Sequence, residues 1–205
     1  MGDLQSALLT GEFCLYSLGQ TKLRRKGWAH SAHFYLAMNK KTKQLVFGAL
    51  IAAMYVALTY MQNFLFPGSA TMAIQFRASE ALCVLAFFTP AAIPGLTIGC
   101  LLFNISSAGA MLLDVAIGTL ASLLAASGMY LTRRITVKGY PFLGMLLPAV
   151  CNGVLVGWEL NYYFGGGFWL NALYVAIGEA AVLLTLGSLL YYTLKNRGLA
   201  RTLDL

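Results

Sequence analysis

The residues with the greatest capacity for chemistry are four acids that lie inside hydrophobic segments: Glu80, Asp114, Glu159 and Glu179. The chain has seven acidic residues in all, and of its fourteen basic residues only Arg77 joins these four in the apolar segments. An ionised side chain at membrane depth costs about 2.5–3.5 kcal/mol on insertion scales. We therefore expect a buried acidic pocket, which would favour a cationic or donor-rich ligand.

The composition indicates a polytopic α-helical membrane protein. Of the 205 residues, 59% are hydrophobic and 10% are charged, whereas about a quarter of the residues in soluble domains are charged. The net charge of +7 is concentrated in clusters between apolar runs. Such clusters set membrane orientation, so the charge does not imply a nucleic-acid partner.

Six apolar segments predict an all-α bundle of six transmembrane helices. A spanning helix needs about 20 residues, and the third segment is shorter than that. Pro90 and Pro94 predict a tight turn between the second and third segments, and the glycines 165–167 predict another between the fifth and sixth. The segments are roughly 44–66, 72–90, 91–105, 111–131, 141–164 and 168–194, within a membrane domain of residues 38–205.

Three basic clusters predict how this bundle lies in the membrane. They fall near residues 40–43, 133–138 and 195–201. With six helices all three clusters share one side, which the positive-inside rule makes the cytoplasmic side. The prediction is N-in and C-in, with the loops near 67–71, 106–110 and 165–167 outside.

Residues 1–37 differ in character from the rest of the chain. They carry a basic cluster and both histidines, and they show no long apolar run and no signal-peptide pattern. We expect this basic leader to be disordered or the product of a misassigned start codon, and an interfacial basic helix is the alternative. N-terminal sequencing of the native protein would decide between these expectations.

The predicted orientation gives each acid a depth. Asp114 lies in the first turn of the fourth segment, and Glu159 lies about 7 Å from the outer end of the fifth. Arg77 and Glu80 lie in the outer half of the second segment. Glu179 lies near the midplane of the sixth. This distribution predicts a pocket that opens to the outside.

Structural roles compete with ligand binding for each charged residue. Arg77 and Glu80, at i and i+3, can neutralise each other. Asp114 can cap its helix, where the helix dipole favours an anion. Glu159 and Glu179 have no basic partner in a neighbouring segment, which makes them the strongest ligand candidates. Their competing role is that of a protonated, hydrogen-bonded structural group.

Polar and aromatic residues near the acids complete the candidate site. Asn152 shares a helix face with one of the two strongest candidates, and Asn171 shares a broad face with the other. Trp158 and Tyr162 lie near the predicted outer rim. These aromatic side chains form either an interfacial belt or a stacking surface for a planar ligand.

The first segment carries a separate pattern of small residues. Ala49, Ala53 and Ala57 repeat every four residues. Small residues at this spacing let another helix approach closely. Internal packing is the usual use of such a stripe, but its position on the first helix, behind a basic stretch, favours partner docking.

Several ordered motifs carry a family resemblance over residues 38–196. They are residues 75–82 (QFRASEAL), 89–96 (TPAAIPGL), 113–115 with 118–120, 152–159 and 168–179. Together with the alanine stripe they resemble the substrate-binding S components of energy-coupling-factor (ECF) transporters. The resemblance is closer to the QueT-like queuosine-precursor transporter family.

The resemblance implies import of a 7-deazaguanine precursor of queuosine, with preQ1 as the first candidate, across a bacterial cell membrane. It also implies one coupling membrane subunit, which docks on the alanine stripe, and two ATPase subunits. No cofactor, metal or catalytic residue is implied. The chain has no GxxxxGK[ST] loop, so ATP hydrolysis is expected of the partners and not of this protein.

PreQ1 matches the chemistry of the buried acids. It has an aminomethyl cation at one end and a guanine-like edge with two adjacent N–H donors at the other. One carboxylate can receive both donors and a second can pair with the ammonium. Glu159 and Glu179 are the candidates for these contacts, Asn152 for ring contacts, and Asp114 and Glu80 come next.

Three other functions stay open on the sequence alone. The chain resembles S components in general, so another vitamin-like ligand is the first alternative. A self-sufficient ion-coupled carrier is the second, although the sequence shows no inverted repeat. An intramembrane enzyme is the third, and no nucleophile–base pair or HExxH stretch supports it.

Overall fold

The computed structural model describes residues 39–67, 76–107 and 111–197. The described residues from Gln44 onward belong to one compact unit. The predictions for residues 1–37 fall outside the described ranges. Asn39 begins the described chain and caps the first helix, since its Oδ1 accepts a hydrogen bond from Thr42 N at 2.9 Å.

The described residues form six helices, which confirms the all-α prediction for this part of the chain. Four of them are long and apolar enough to cross a membrane, and two are shorter. The six-span count and the N-in, C-in orientation stay predictions. The helices are α1 (Lys40–Leu65), a 3₁₀ helix (Ala78–Phe87), α2 (Ala92–Ser106), α3 (Leu112–Thr132), α4 (Phe142–Phe164) and α5 (Phe168–Asn196).

The second predicted segment folds differently from a spanning α-helix in its described part. Its helical residues are Ala78–Phe87, all in 3₁₀ conformation, although 3₁₀ runs longer than four residues are uncommon. A 3₁₀ helix rises about 2.0 Å per residue, so these ten residues extend over about 20 Å, short of a bilayer core. The helix ends at Phe87, ahead of Pro90, where the chain turns into α2.

Glycines let the helices pack with their backbones nearly in contact. A Cβ atom at Gly95 of α2 would lie 2.7 Å from Gly48 O of α1. A Cβ atom at Gly157 of α4 would lie 2.5 Å from Ala172 Cα of α5. Both distances are shorter than van der Waals contact. The α1–α2 pair therefore requires glycine at position 95, and the α4–α5 pair requires it at position 157.

The two ends of the compact unit differ in charge. At one end Lys195 Nζ donates to Gly139 O at 2.8 Å, which brings the basic loop between α3 and α4 beside the basic end of α5. At the other end three glycines with φ between 73° and 93° make the turn between α4 and α5. The 133–138 cluster and Lys195 therefore share an end, as the orientation prediction requires of them.

Candidate functional site

The structure brings the five charged residues of the apolar segments into one electrostatic neighbourhood. Glu80, Glu159 and Glu179 come from the 3₁₀ helix, α4 and α5 and are 0%, 5% and 1% exposed. The positive charge of Arg77 acts on all three carboxyls, and Asp114 contacts Glu159. We call these five residues the acid cluster.

This arrangement corrects one prediction. Glu159 and Glu179 were expected to lack a basic neighbour, but the charge of Arg77 reaches both. The expectation was wrong because it considered only segments that are adjacent in the chain. The 3₁₀ helix packs against α4 and α5, so the residue that precedes it is a spatial neighbour of both acids.

Glu80 has a protein partner for each carboxylate oxygen. Tyr55 OH donates to Glu80 Oε1 at 2.7 Å, and Cys83 Sγ donates to Oε2 at 3.1 Å. All three side chains are fully buried. Arg77 interacts electrostatically with Glu80, as predicted. Its positive charge also acts on Glu159 and Glu179. Glu80 is thus held in place by the protein itself.

Glu179 is connected to α4 and keeps one acceptor unused. The Asn152 side chain lies beside its carboxyl across the α4–α5 interface and interacts with it. Glu179 Oε2 is buried and has no hydrogen-bond partner within the part of the chain that the structure describes. A buried polar atom without a partner costs about 1–3 kcal/mol, so this oxygen is a candidate contact for a ligand.

Glu159 and Asp114 form the part of the cluster nearest the start of α3. Met111 N donates to Asp114 Oδ2 at 3.2 Å, so the predicted capping role of Asp114 is confirmed. The Asp114 and Glu159 carboxyls also lie close enough to interact with each other. Glu159 Oε1 is buried, and no described residue forms a hydrogen bond with it.

The predicted aromatic residues lie on the surface next to this part of the cluster. Trp158 and Tyr162 are 49% and 68% exposed, and their rings stack with centroids 5.9 Å apart. They line an open cavity of about 620 Å³, which is within the usual range for small-molecule sites. Its lining residues are Leu112, Leu113, Ala116, Trp158, Tyr162 and Tyr163.

Asn171 has a local contact that the sequence did not indicate. Its Nδ2 donates to Gly165 O at 2.8 Å, which ties the start of α5 to the glycine turn. Asn161 Oδ1 accepts from Gly167 N at 3.1 Å and closes the same turn from the α4 side. The predicted ligand role of Asn171 would therefore have to be combined with this structural one.

Several polar residues beside the cluster were missed by the sequence analysis. Asn104 of α2 is buried and donates to Asp114 O at 3.3 Å. Thr59 and Gln62 of α1 are buried and hydrogen-bond the residues around Arg77. Thr119 Oγ1 of α3 is buried without a partner. The available signal was the same in each case: a polar side chain inside an apolar helix.

A π-helical turn was also missed. α5 changes to π hydrogen bonding over Leu183–Gly187, one turn after Glu179. π turns inside α-helices are rare and frequent near functional sites. Gly187, at the end of this turn, packs against Val84 of the 3₁₀ helix, so the irregular parts of both helices meet.

Comparison with known protein families identifies the family to which this chain belongs. A profile described as the QueT transporter matches residues 45–196, which is most of the chain and includes the whole acid cluster. The chain belongs to the QueT transporter family. The resemblance read from the ordered motifs is thereby confirmed, and the multiple long apolar helices fit a multi-pass membrane transporter.

A curated relative supports the same QueT assignment over part of the chain. The queuosine precursor transporter QueT of Lactococcus lactis subsp. cremoris (strain MG1363) is 39% identical over 90 residues. These residues are 42% of this chain and 49% of the relative, so the chain matches about half the length of that protein. No solved structure matches the chain.

Proposed function

We propose that this protein binds a queuosine precursor at the acid cluster and serves in its uptake across the membrane. Membership of the QueT family and the name of the Lactococcus relative support the substrate class. The observation that carries the proposal is a pair of buried acceptors, Glu159 Oε1 and Glu179 Oε2, that have no hydrogen-bond partner among the described residues. A donor-rich ligand would satisfy both.

PreQ1 is the proposed ligand within this class. Its two adjacent N–H donors suit one carboxylate and its ammonium suits another. Glu159 and Glu179 take these roles, and Asn152 already contacts Glu179 and adds polar contacts to the ring. Asp114, Glu80 and Arg77 complete the charge balance.

The rim residues have a proposed role in ligand entry. Trp158 and Tyr162 present exposed, stacked rings beside the Glu159–Asp114 part of the cluster. A planar ligand can stack on such rings as it enters, because aromatic faces attract one another in offset or stacked geometry. Asn171 holds the turn at the same end of the molecule.

The proposed mechanism is that of an ECF S component, which captures ligand from outside a bacterial cell and depends on partners for transport. A coupling membrane subunit and two ATPase subunits complete the transporter. The support within this chain is the first helix, on which Ala49, Ala53 and Ala57 are exposed while Ala52 is buried. The small-residue stripe thus faces away from the protein core and is available to a partner helix.

Calorimetric titration of the purified protein tests the ligand assignment. We expect one preQ1 per chain, with weaker binding of preQ0 and guanine, which lack the aminomethyl cation. Glu159→Gln and Glu179→Gln each replace a carboxylate by a group with one acceptor oxygen, and each should weaken preQ1 binding by about ten- to a hundredfold.

The matched control is Tyr140→Phe, which removes a hydroxyl that hydrogen-bonds Ser188 near the basic end of the molecule. It should leave preQ1 affinity unchanged. Absence of preQ1 binding by folded wild-type protein would overturn the ligand assignment. Wild-type binding by both glutamine variants would place the site elsewhere.

Copurification tests the partner assignment separately. Tagged protein should copurify with one coupling membrane protein and two ATPases. Uptake by the purified chain alone, in ATP-free vesicles with a proton gradient, would instead indicate an ion-coupled carrier.

A further inference from the structure

The side-chain amide of Gln62 on α1 bridges the two peptide groups that flank Arg77. Its Nε2 donates to Phe76 O, and its Oε1 accepts from Ala78 N at 2.6 Å. Gln62 is buried, and Arg77 has extended backbone angles, φ −106° and ψ 104°. The amide therefore pairs with this extended segment as a neighbouring strand would, with one donor and one acceptor.

From this contact we infer that Gln62 is a positioning residue for the ligand site and acts through Arg77. The inference rests on the proposed function, because it assumes that the acid cluster binds ligand. Two hydrogen bonds on either side of Arg77 fix the direction in which its side chain leaves the backbone. The guanidinium charge is thereby held where it acts on Glu80, Glu159 and Glu179.

Neighbouring contacts extend the same attachment along the 3₁₀ helix. The hydroxyls of Thr59 and Ser79 are hydrogen-bonded at 2.8 Å, and Tyr55 OH donates to Glu80. Tyr55, Thr59 and Gln62 are spaced four and three residues apart, so they lie on one face of α1. This face contacts successive residues of the chain from Phe76 to Glu80.

The polar face of α1, formed by Tyr55, Thr59 and Gln62, explains why the 3₁₀ helix can begin at Ala78. The first residues of a helix have free N–H groups, and the N-cap position held by Arg77 provides no side-chain cap. Gln62 supplies an acceptor for one such group, Ala78 N. Without Gln62, Phe76 O and Ala78 N lose these partners, and the Arg77 backbone is no longer fixed at two points.

A double-mutant cycle tests whether Gln62 acts through Arg77. Gln62→Met removes both hydrogen bonds at similar side-chain volume and should weaken preQ1 binding at least about fivefold in titration calorimetry. Arg77→Gln should also weaken binding. The double variant should bind as Arg77→Gln alone, because Gln62 has no effect on the ligand once the guanidinium is absent.

The control is Tyr60→Phe, which removes another hydrogen bond near the same end of α1, from Tyr60 OH to Ser106 Oγ at 2.7 Å. It should leave preQ1 affinity unchanged. Additive effects of Gln62→Met and Arg77→Gln would indicate a general structural role and overturn the inference. Wild-type affinity in Gln62→Met would overturn it as well.

Hydrogen exchange provides a second readout that needs no ligand. The Ala78 amide should exchange at least about tenfold faster in Gln62→Met than in wild type, and at the wild-type rate in Tyr60→Phe. If Gln62→Met does not fold, Gln62→Leu, which also lacks both the donor and the acceptor, takes its place in both experiments. Unchanged exchange in the folded variant refutes the positioning role, whereas failure of wild type to bind preQ1 refutes the proposed ligand alone.

Discussion

At the scale of single residues, the buried acids differ in how fully the protein uses their oxygens. Glu80 receives donors on both oxygens, from Tyr55 and Cys83. Glu159 and Glu179 each retain a buried oxygen to which none of the described residues donates a hydrogen bond. Residues of one chemical type thus divide into a fixed structural group and two open acceptors, which is the distribution expected of a site that is completed by its ligand.

Tyr55→Phe should destabilise the protein by removing a donor from a buried carboxylate. Hydrogen bonds to charged groups contribute about 1.5–3 kcal/mol, and Glu80 Oε1 would lose its partner at full burial. The free energy of unfolding in detergent measures the change. Tyr60→Phe, which removes an exposed hydrogen bond from the same helix, should cost less than about 1 kcal/mol. Equal losses in the two variants would show that Glu80 does not depend on Tyr55.

At the scale of helices, the candidate site lies beside two irregular elements, the 3₁₀ helix and the π turn of α5, and regular helices pack against both. The 3₁₀ helix Ala78–Phe87 carries Glu80, and α5 changes to a π turn one turn beyond Glu179. Helix α4 and the regular first part of α5 approach so closely at Gly157 that no side chain fits between them. This close pair fixes the distance between Glu159 on one helix and Glu179 on the other.

Gly157→Ala should separate α4 from α5. The added Cβ atom would lie 2.5 Å from Ala172 Cα, a backbone atom that cannot rotate away, and overpacking of this kind costs about 1–3 kcal/mol. The free energy of unfolding should fall by that amount, and preQ1 affinity should fall with it.

The matched control for this helix pair is Gly128→Ala on α3. The nearest atoms to its Cβ atom would all belong to the Leu147 side chain, and the closest, Cδ1 at 3.0 Å, is the flexible end of that side chain. Helix propensity favours alanine over glycine by about 1 kcal/mol, so this variant should be as stable as wild type or more stable. A stable Gly157→Ala protein with wild-type affinity would contradict the proposed spacing role.

At the scale of the whole molecule, the basic residues, the acid cluster and the apolar outer face of α1 lie in different parts of the described chain. Lys195 and the loop at Gly139 meet at one end. The acid cluster extends to Asp114 at the start of α3, and the opposite end of α3 is followed by Arg133. The outward face of α1 consists of small and apolar residues, among them Ala53. The proposed ligand site, the basic end and the proposed partner surface thus occupy separate parts of the described chain.

Ala53→Leu should abolish ligand uptake in cells without changing preQ1 affinity. A leucine on the exposed stripe would hold a partner helix at a distance, because close approach requires small residues. Uptake of labelled preQ1 and calorimetry of the purified variant measure the two quantities. Ala181→Leu, an equal change at an exposed position of α5, should alter neither. Normal uptake by Ala53→Leu would exclude the stripe as the docking surface.

The sequence by itself determined the helical class, the family and the identity of the charged residues, because apolar run length, motif order and the rarity of charge are local properties of the chain. Only the tertiary structure decided that Arg77 lies near Glu159 and Glu179 and that Asn152 lies beside Glu179. It alone also decided that Gln62 hydrogen-bonds the residues on either side of Arg77. These contacts join residues on different helices. Their existence depends on the angles and distances at which the helices pack, which no periodicity within one helix contains.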